Sequence, residues 1–278
     1  MIDWLLDPLQ FSFISRALVA AVIVGIVCSV LGTYIVLQGM AFLGDALAHT
    51  ILPGVVIAFL LGLPLALGAL VFGVLTALGI GALTEREMLK EDTAIGVIFA
   101  GLFALGVALL SSSSGSYTID LAHFLFGNLL GVSTGDLWVI AGLGVVVLAT
   151  VFLLYKEFLV VSFDTTLATT LRLPTRLIRY VMLVLIAVTI VTALQVVGIA
   201  LMLAMFVTPA AAASLLTRRL PAMMATAAGI GVTAGVVGMY ASYYLDIASG
   251  AAVVLAATLI FVVVFIFAPG RGLLAAKR

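Results

Sequence analysis

Nine apolar runs, each close to the length that crosses a bilayer and each set off by a short polar connection, constrain this chain more than any other feature. They fall at 13–37, 45–61, 64–83, 93–112, 137–154, 178–194, 196–217, 221–244 and 249–268. About 20 helical residues match the hydrocarbon thickness. The run at 121–131 is too brief to span alone and reads as a half-helix or re-entrant piece. The run at 45–61 carries Asp45 and His49, so it too could enter only partway. Roughly eight to ten spans are expected on this basis. The expected fold class is all-α, a polytopic transmembrane helical bundle in a single domain over 1–278.

Composition closes the alternatives. The chain is 65% hydrophobic and 9% charged, with mean hydropathy +1.41, whereas a soluble domain is roughly half apolar and a quarter charged. Lipid must be the solvent. Twelve basic residues balance twelve acidic ones, which gives no footprint for nucleic acid. Asp3 and Asp7 precede the first run where a cleaved signal would be basic, so that run is expected to stay in the mature chain. The one cysteine, Cys28, lies in the first span and reads as core packing; it allows no disulfide framework or thiolate cage. No polar stretch is long enough for a soluble catalytic domain.

Lysine and arginine positions suggest an orientation. The connections "TEREMLKED" (84–92), "YKEF…RLPTRLIR" (155–179) and "TRRL" (217–220) hold basic residues, as does the tail "RGLLAAKR". "SSSSGSYTID" (111–120) and "YYLDIAS" (243–249) hold none. Placing the basic loops in the cytoplasm makes the later spans alternate, with a hairpin through Gln195–Gly198 and a cytoplasmic carboxyl terminus. Nine full spans would put the amino terminus outside; a non-spanning 45–61 would put it inside.

The longest polar connection, 155–179, contains "SFDTTLATTLRLPTRL". Leu167 and Leu171 have helical spacing, and Asp164 or Ser162 could cap that short helix. Such a helix either lies on the lipid surface or docks a partner. Glycines in "GLFALG" and "GIGVTAGVVG", and the alanines after Pro209 in "TPAAAAS", read as close helix packing.

Ionisable residues inside a membrane are costly unless they face the bundle interior or an aqueous path. Asp45 and His49 stand four apart, hence on one helical face. Carboxylate and imidazole together suit Zn²⁺, Mn²⁺ or Fe²⁺, and two ligands hold an ion weakly enough to release it, as a conduction path requires. The alternative is that Asp45 caps a helix at 46 and His49 is a satisfied interior histidine. His123, after Asp120 in an aromatic stretch, reads as packing. There is no GxxxxGK[ST] loop, HExxH or GxSxG, so phosphate-loop nucleotide binding and intramembrane proteolysis are poor fits.

At this point the residues resemble a known family. "GDALAHTILPGV" is similar to the GD-[AS]-L-S-H-x-x-LPG motif of the membrane subunits of zinc/manganese-type ATP-binding-cassette importers. "EDTAIGVIFAGLFALGVALLS", "LAHFLFGNLLGVS", "VVGIALMLAMFVTPAAAA" and "YYLDIASGAAVVL" follow in that family's order and spacing, so the likeness covers about 15–268. It implies a homodimeric permease, related in architecture to vitamin B12-type importers, with two copies of a separate ATPase docked below. An extracytoplasmic binding protein would deliver the metal. It also implies that Asp45 and His49 belong to the metal path. In the 155–179 connection it implies ATPase coupling through Phe163, Asp164, Leu167, Ala168 and Leu171, in a segment similar to F-D-P-E-x-A-x-x-L-G-x-P. Departures exist. Gln38-Gly39 replaces a common Arg-Arg pair, Thr165 replaces proline, Thr166 an acid, Arg172 glycine, and Ala248 a proline.

The expectation is therefore a prokaryotic cell-membrane permease with no ATPase chemistry of its own and no permanently bound cofactor, passing Mn²⁺ or Zn²⁺, with Fe²⁺ the third choice. A secondary transporter driven by protons or sodium is the competing class, but it usually shows paired broken helices and several buried charges. A non-transporting membrane scaffold leaves Asp45 and His49 unexplained.

Overall fold

The structure, a computed structural model, describes residues 7–85, 89–112 and 129–268. Every regular element among them is helical. After a 3₁₀ turn at Pro8–Gln10 come α1 (Ser12–Leu37), α2 (Leu43–Thr50), α3 (Leu52–Leu60), α4 (Leu65–Thr84) and α5 (Glu91–Ser112). A second 3₁₀ turn, Leu129–Gly131, precedes α6 (Thr134–Leu153), α7 (Tyr155–Phe163) and α8 (Thr165–Thr170). The chain then runs through α9 (Thr175–Val197), α10 (Ile199–Leu216), α11 (Leu220–Leu245) and α12 (Ser249–Phe267).

With α2 and α3 counted together as Leu43–Leu60, nine helical segments among the described residues are long and apolar enough to cross a membrane. They coincide with the nine apolar runs to within about one helical turn. The protein is a polytopic transmembrane helical bundle. Of the 121–131 run, only 129–131 lies among the described residues; His123 and Asp120 lie outside them. Gly198, with φ of +79°, makes the turn expected between α9 and α10.

Helix ends follow from local chemistry. Ser133 and Asp136 form a reciprocal box at the start of α6. The Ser133 N–H donates to Asp136 Oδ2 at 3.0 Å and the Asp136 N–H to Ser133 Oγ at 3.1 Å. Within the 155–179 connection Asp164 is the N-cap of α8, its carboxylate accepting the Leu167 N–H at 2.9 Å. Of the two caps the sequence allowed, this is the one used.

The chain forms two compact units. The first comprises Met1–Val36, Phe126–Leu148 and Val196–Arg278. Its core is built from small residues. A β-carbon at Gly25 of α1 would lie 3.1 Å from the Gly231 carbonyl of α11, and Gly32 leaves room only for the Phe206 backbone of α10. Gly238 of α11 sits against the backbone of Val253 in α12. Close approach lets dispersion hold helices that have no hydrophobic reason to leave lipid. Pro209 lies inside α10 and brings no N–H to the carbonyl four residues earlier. That carbonyl, on Met205, accepts instead from Ser29 Oγ of α1 at 3.3 Å. Cys28 is fully buried beside Ser29, as core packing predicts.

The second unit comprises Leu37–Leu125 and Ala149–Gln195. Helix α3 crosses α4 at Gly54 and Gly68, backbone against backbone, with no space for a β-carbon on either side. Gly81 of α4 takes the ring of Tyr180 from α9. Gln38, which stands where the family often has arginine, donates from Nε2 to Ser162 Oγ of α7 at 2.9 Å.

Candidate functional site

Asp45 and His49 both lie on α2, in the second unit. Asp45 is the third residue of this helix and Phe42 its N-cap, so Asp45 does not cap a helix beginning at 46. A carboxylate in the first turn interacts favourably with the positive end of the helix dipole. The helix brings His49 Nε2 to 3.6 Å from Asp45 Oδ1, with the side chains 33% and 29% exposed respectively. Pro53, the second residue of α3, has no N–H for the His49 carbonyl, and regular helix stops at Ile51. The pair thus ends two residues before a break inside one span. No group of three or more histidine, cysteine or acidic residues is clustered for a metal among the described residues. Asp45 and His49 are the donors at hand for a cation on this face.

Around His49 the neighbours are aromatic. Phe99 and Phe103 of α5 are stacked, with ring centroids 5.8 Å apart and planes 12° from parallel. The imidazole meets both edge-on, at 5.9 Å and 5.5 Å. Nothing in the sequence singles out these two phenylalanines. Their four-residue spacing was visible, but apolar residues at that spacing occur throughout the spans.

The five residues of the 155–179 connection gather around α8. Phe163, Leu167 and Leu171 are 62%, 47% and 56% exposed, while Ala168 is fully buried and anchors the turn. The end of α8 shows why the family pattern has glycine where this chain has Arg172. Leu173 N–H donates to the Ala168 carbonyl at 3.0 Å and Arg172 N–H to that of Thr169 at 3.0 Å. These are the two bonds of a Schellman cap, whose C′ residue is left-handed and most often glycine. Arg172 occupies that position at φ of +55°.

A cavity of about 340 Å³ adjoins α8. Its walls include Thr166 and Thr169 of α8, Thr175, Arg176 and Tyr180 of α9, and Glu85 after α4. Arg176 pairs with Glu85, which also accepts from the Tyr180 hydroxyl at 3.2 Å. Arg179 pairs with Glu91 at the start of α5. In the sequence these charges served only to orient loops; their pairing is 88 residues apart for Arg179 and Glu91 and leaves no local signal.

The fold and this site define a multi-pass membrane protein with a carboxylate–imidazole pair inside a broken span. Comparison with known proteins is consistent along the whole length. Residues 10–268 match the profile of the ABC 3 transport family. The manganese transport system membrane protein MntC of Halalkalibacterium halodurans is 46% identical over 266 residues, 96% of this chain and 91% of that protein. A probable iron transport system membrane protein of Haemophilus influenzae is 38% identical over 271 residues, covering 98% and 99%. Among solved structures, PsaBC from Streptococcus pneumoniae in complex with Fab is similar over 100% of both chains, with a TM-score of 0.85 and 39% identity. The chain belongs to the ABC 3 transport family.

Proposed function

We propose that this chain is the membrane-spanning permease subunit of an ATP-binding-cassette importer for a divalent transition-metal ion. Manganese is the first choice, with zinc and iron as alternatives. The observation that carries the reading is the Asp45–His49 pair, a carboxylate and an imidazole on one face of a span interrupted at Ile51. Relatives named for manganese and for iron transport narrow the cargo to transition metals. An oxygen and a nitrogen donor suit such ions better than Ca²⁺ or Mg²⁺, which take oxygen ligands.

In this reading Asp45 lowers the electrostatic cost of a dication in low dielectric, and His49 adds a nitrogen that favours transition metals. A homodimer with the path on its two-fold axis brings a second Asp45 and His49 to the same ion. Energy comes from outside the chain. Two copies of a separate ATPase subunit dock on Phe163, Leu167 and Leu171, and an extracytoplasmic metal-binding protein delivers the cargo. The basic connections support a carboxyl terminus in the cytoplasm.

Uptake of ⁵⁴Mn²⁺ into proteoliposomes holding the permease and its ATPase tests the proposal. Asp45→Asn keeps shape and removes charge, and is expected to lower uptake at least a hundredfold with unchanged insertion. Uptake by Asp45→Asn and His49→Ala at the wild-type rate would remove the pair from the path. Uptake that persists without ATP would favour a secondary transporter instead.

A further inference from the structure

We infer that Phe99 and Phe103 are positioning residues for His49. Stacked on α5, they hold its imidazole so that Nε2 stays on the Asp45 side and the two donors face one ion together. The inference rests on the metal-path reading of Asp45 and His49 given above.

Three observations carry it. The two rings are four residues apart, hence on one face of α5, and lie nearly parallel. The imidazole stands at 63° to one and 74° to the other, so it is braced edge-on by both. Rotation about the terminal torsion of histidine is otherwise soft, and a turned ring would present carbon where nitrogen now faces Asp45 Oδ1 at 3.6 Å.

The third observation is the register that sets this contact. Gly106, three residues beyond Phe103, faces Leu52, three residues beyond His49. A β-carbon on Gly106 would come within 2.9 Å of Leu52 Cγ. The missing side chain lets α5 approach α2 and α3 closely enough for the rings to reach the imidazole.

The chemistry of the brace suits transit. Phenylalanine offers no ligand atom, so it fixes His49 without adding a donor to those the Asp45–His49 pairs supply. Preorganising the imidazole also removes the entropy cost of ordering it when the ion arrives. Its apolar wall supplies no groups to replace lost water, which disfavours ions such as Mg²⁺ that dehydrate reluctantly.

The test uses the assembled permease–ATPase complex in nanodiscs, with Mn²⁺ as the probe. Electron spin-echo modulation from imidazole ¹⁴N reports whether a histidine nitrogen touches the ion. His49→Ala is the reference for loss of that signal. The Phe99→Leu/Phe103→Leu double variant, which keeps most of the volume, is expected to lose at least two-thirds of the signal and to lower ⁵⁴Mn²⁺ uptake about tenfold. The Phe99→Tyr/Phe103→Tyr variant keeps both rings and is expected to retain the signal.

Wild-type signal and uptake in the leucine variant, with both lost in His49→Ala, would overturn the positioning role and leave the metal path intact. Loss of the signal in the tyrosine variant, assembled with its ATPase, would also overturn it. If His49→Ala itself keeps signal and uptake, the path reading falls and the positioning role falls with it.

Discussion

Arg179 of α9 pairs with Glu91, the first residue of α5, and so ties the helix that follows α8 to the helix that braces His49. Both side chains are about 30% exposed, enough to soften the pair without dissolving it. This charge contact gives a movement imposed on the 155–179 connection a route to α5, which the first prediction tests.

Arg179→Ala is predicted to leave the complex assembled and ATP hydrolysis running while Mn²⁺ uptake per ATP falls about tenfold. The loss of a half-buried pair costs about 1–2 kcal/mol, short of what a fully buried pair loses. The charge-swapped Arg179→Glu/Glu91→Arg variant should recover most of the uptake. Unchanged uptake per ATP in Arg179→Ala would show that the pair transmits nothing.

The exposed apolar side chains of α8 give a binding prediction. Leu167→Asp/Leu171→Asp alters groups about half exposed, so the permease should still insert. It should no longer co-purify with its ATPase. Normal recovery of the ATPase would leave α8 as a helix resting on lipid.

Arg172 supplies a stability prediction of opposite sign. A left-handed backbone costs a residue with a β-carbon about 1–2 kcal/mol, and glycine avoids that cost. Arg172→Gly should raise the thermal midpoint of the purified permease by a few degrees, with ATPase docking retained. A lowered midpoint would mean that the arginine side chain contributes more than its backbone loses.

Glycines within a single motif are predicted to differ. Gly106→Ala should destabilise by about 1–3 kcal/mol through overpacking against Leu52. Gly101→Ala meets nothing within 4 Å, so it should be neutral or gain up to about 1 kcal/mol of helix propensity. Thermal midpoints of the two variants in detergent decide; equal effects would contradict the packing described.

Much of the architecture was legible because span length and backbone pairing in lipid leave few choices. The ends of the nine segments, the turn at Gly198 and the Asp164 cap all had local signals. Which face of each helix meets protein had none. A helix in lipid is apolar all round, so periodicity does not separate exposed Gly101 from packed Gly106. Asp45 and His49 stood out as rare ionisable groups within a span, whereas Phe99 and Phe103 looked like every other apolar residue. Arg172 was legible as a departure from glycine, but its left-handed backbone was not.

The Ser29 hydroxyl and the Met205 carbonyl bear on how the chain is made. Helix α10 enters the bilayer with one rung of its ladder missing, because Pro209 has nothing to donate. The group that fills the vacancy sits on α1, synthesised 176 residues earlier. In hydrocarbon an unpaired carbonyl is expensive, so α10 gains by docking on a helix already waiting for it. The first span is therefore predicted to template the docking of α10, and Ser29→Ala should show its defect during biogenesis, as slower acquisition of protease resistance after release from the ribosome, more than in the activity of molecules that have finished folding.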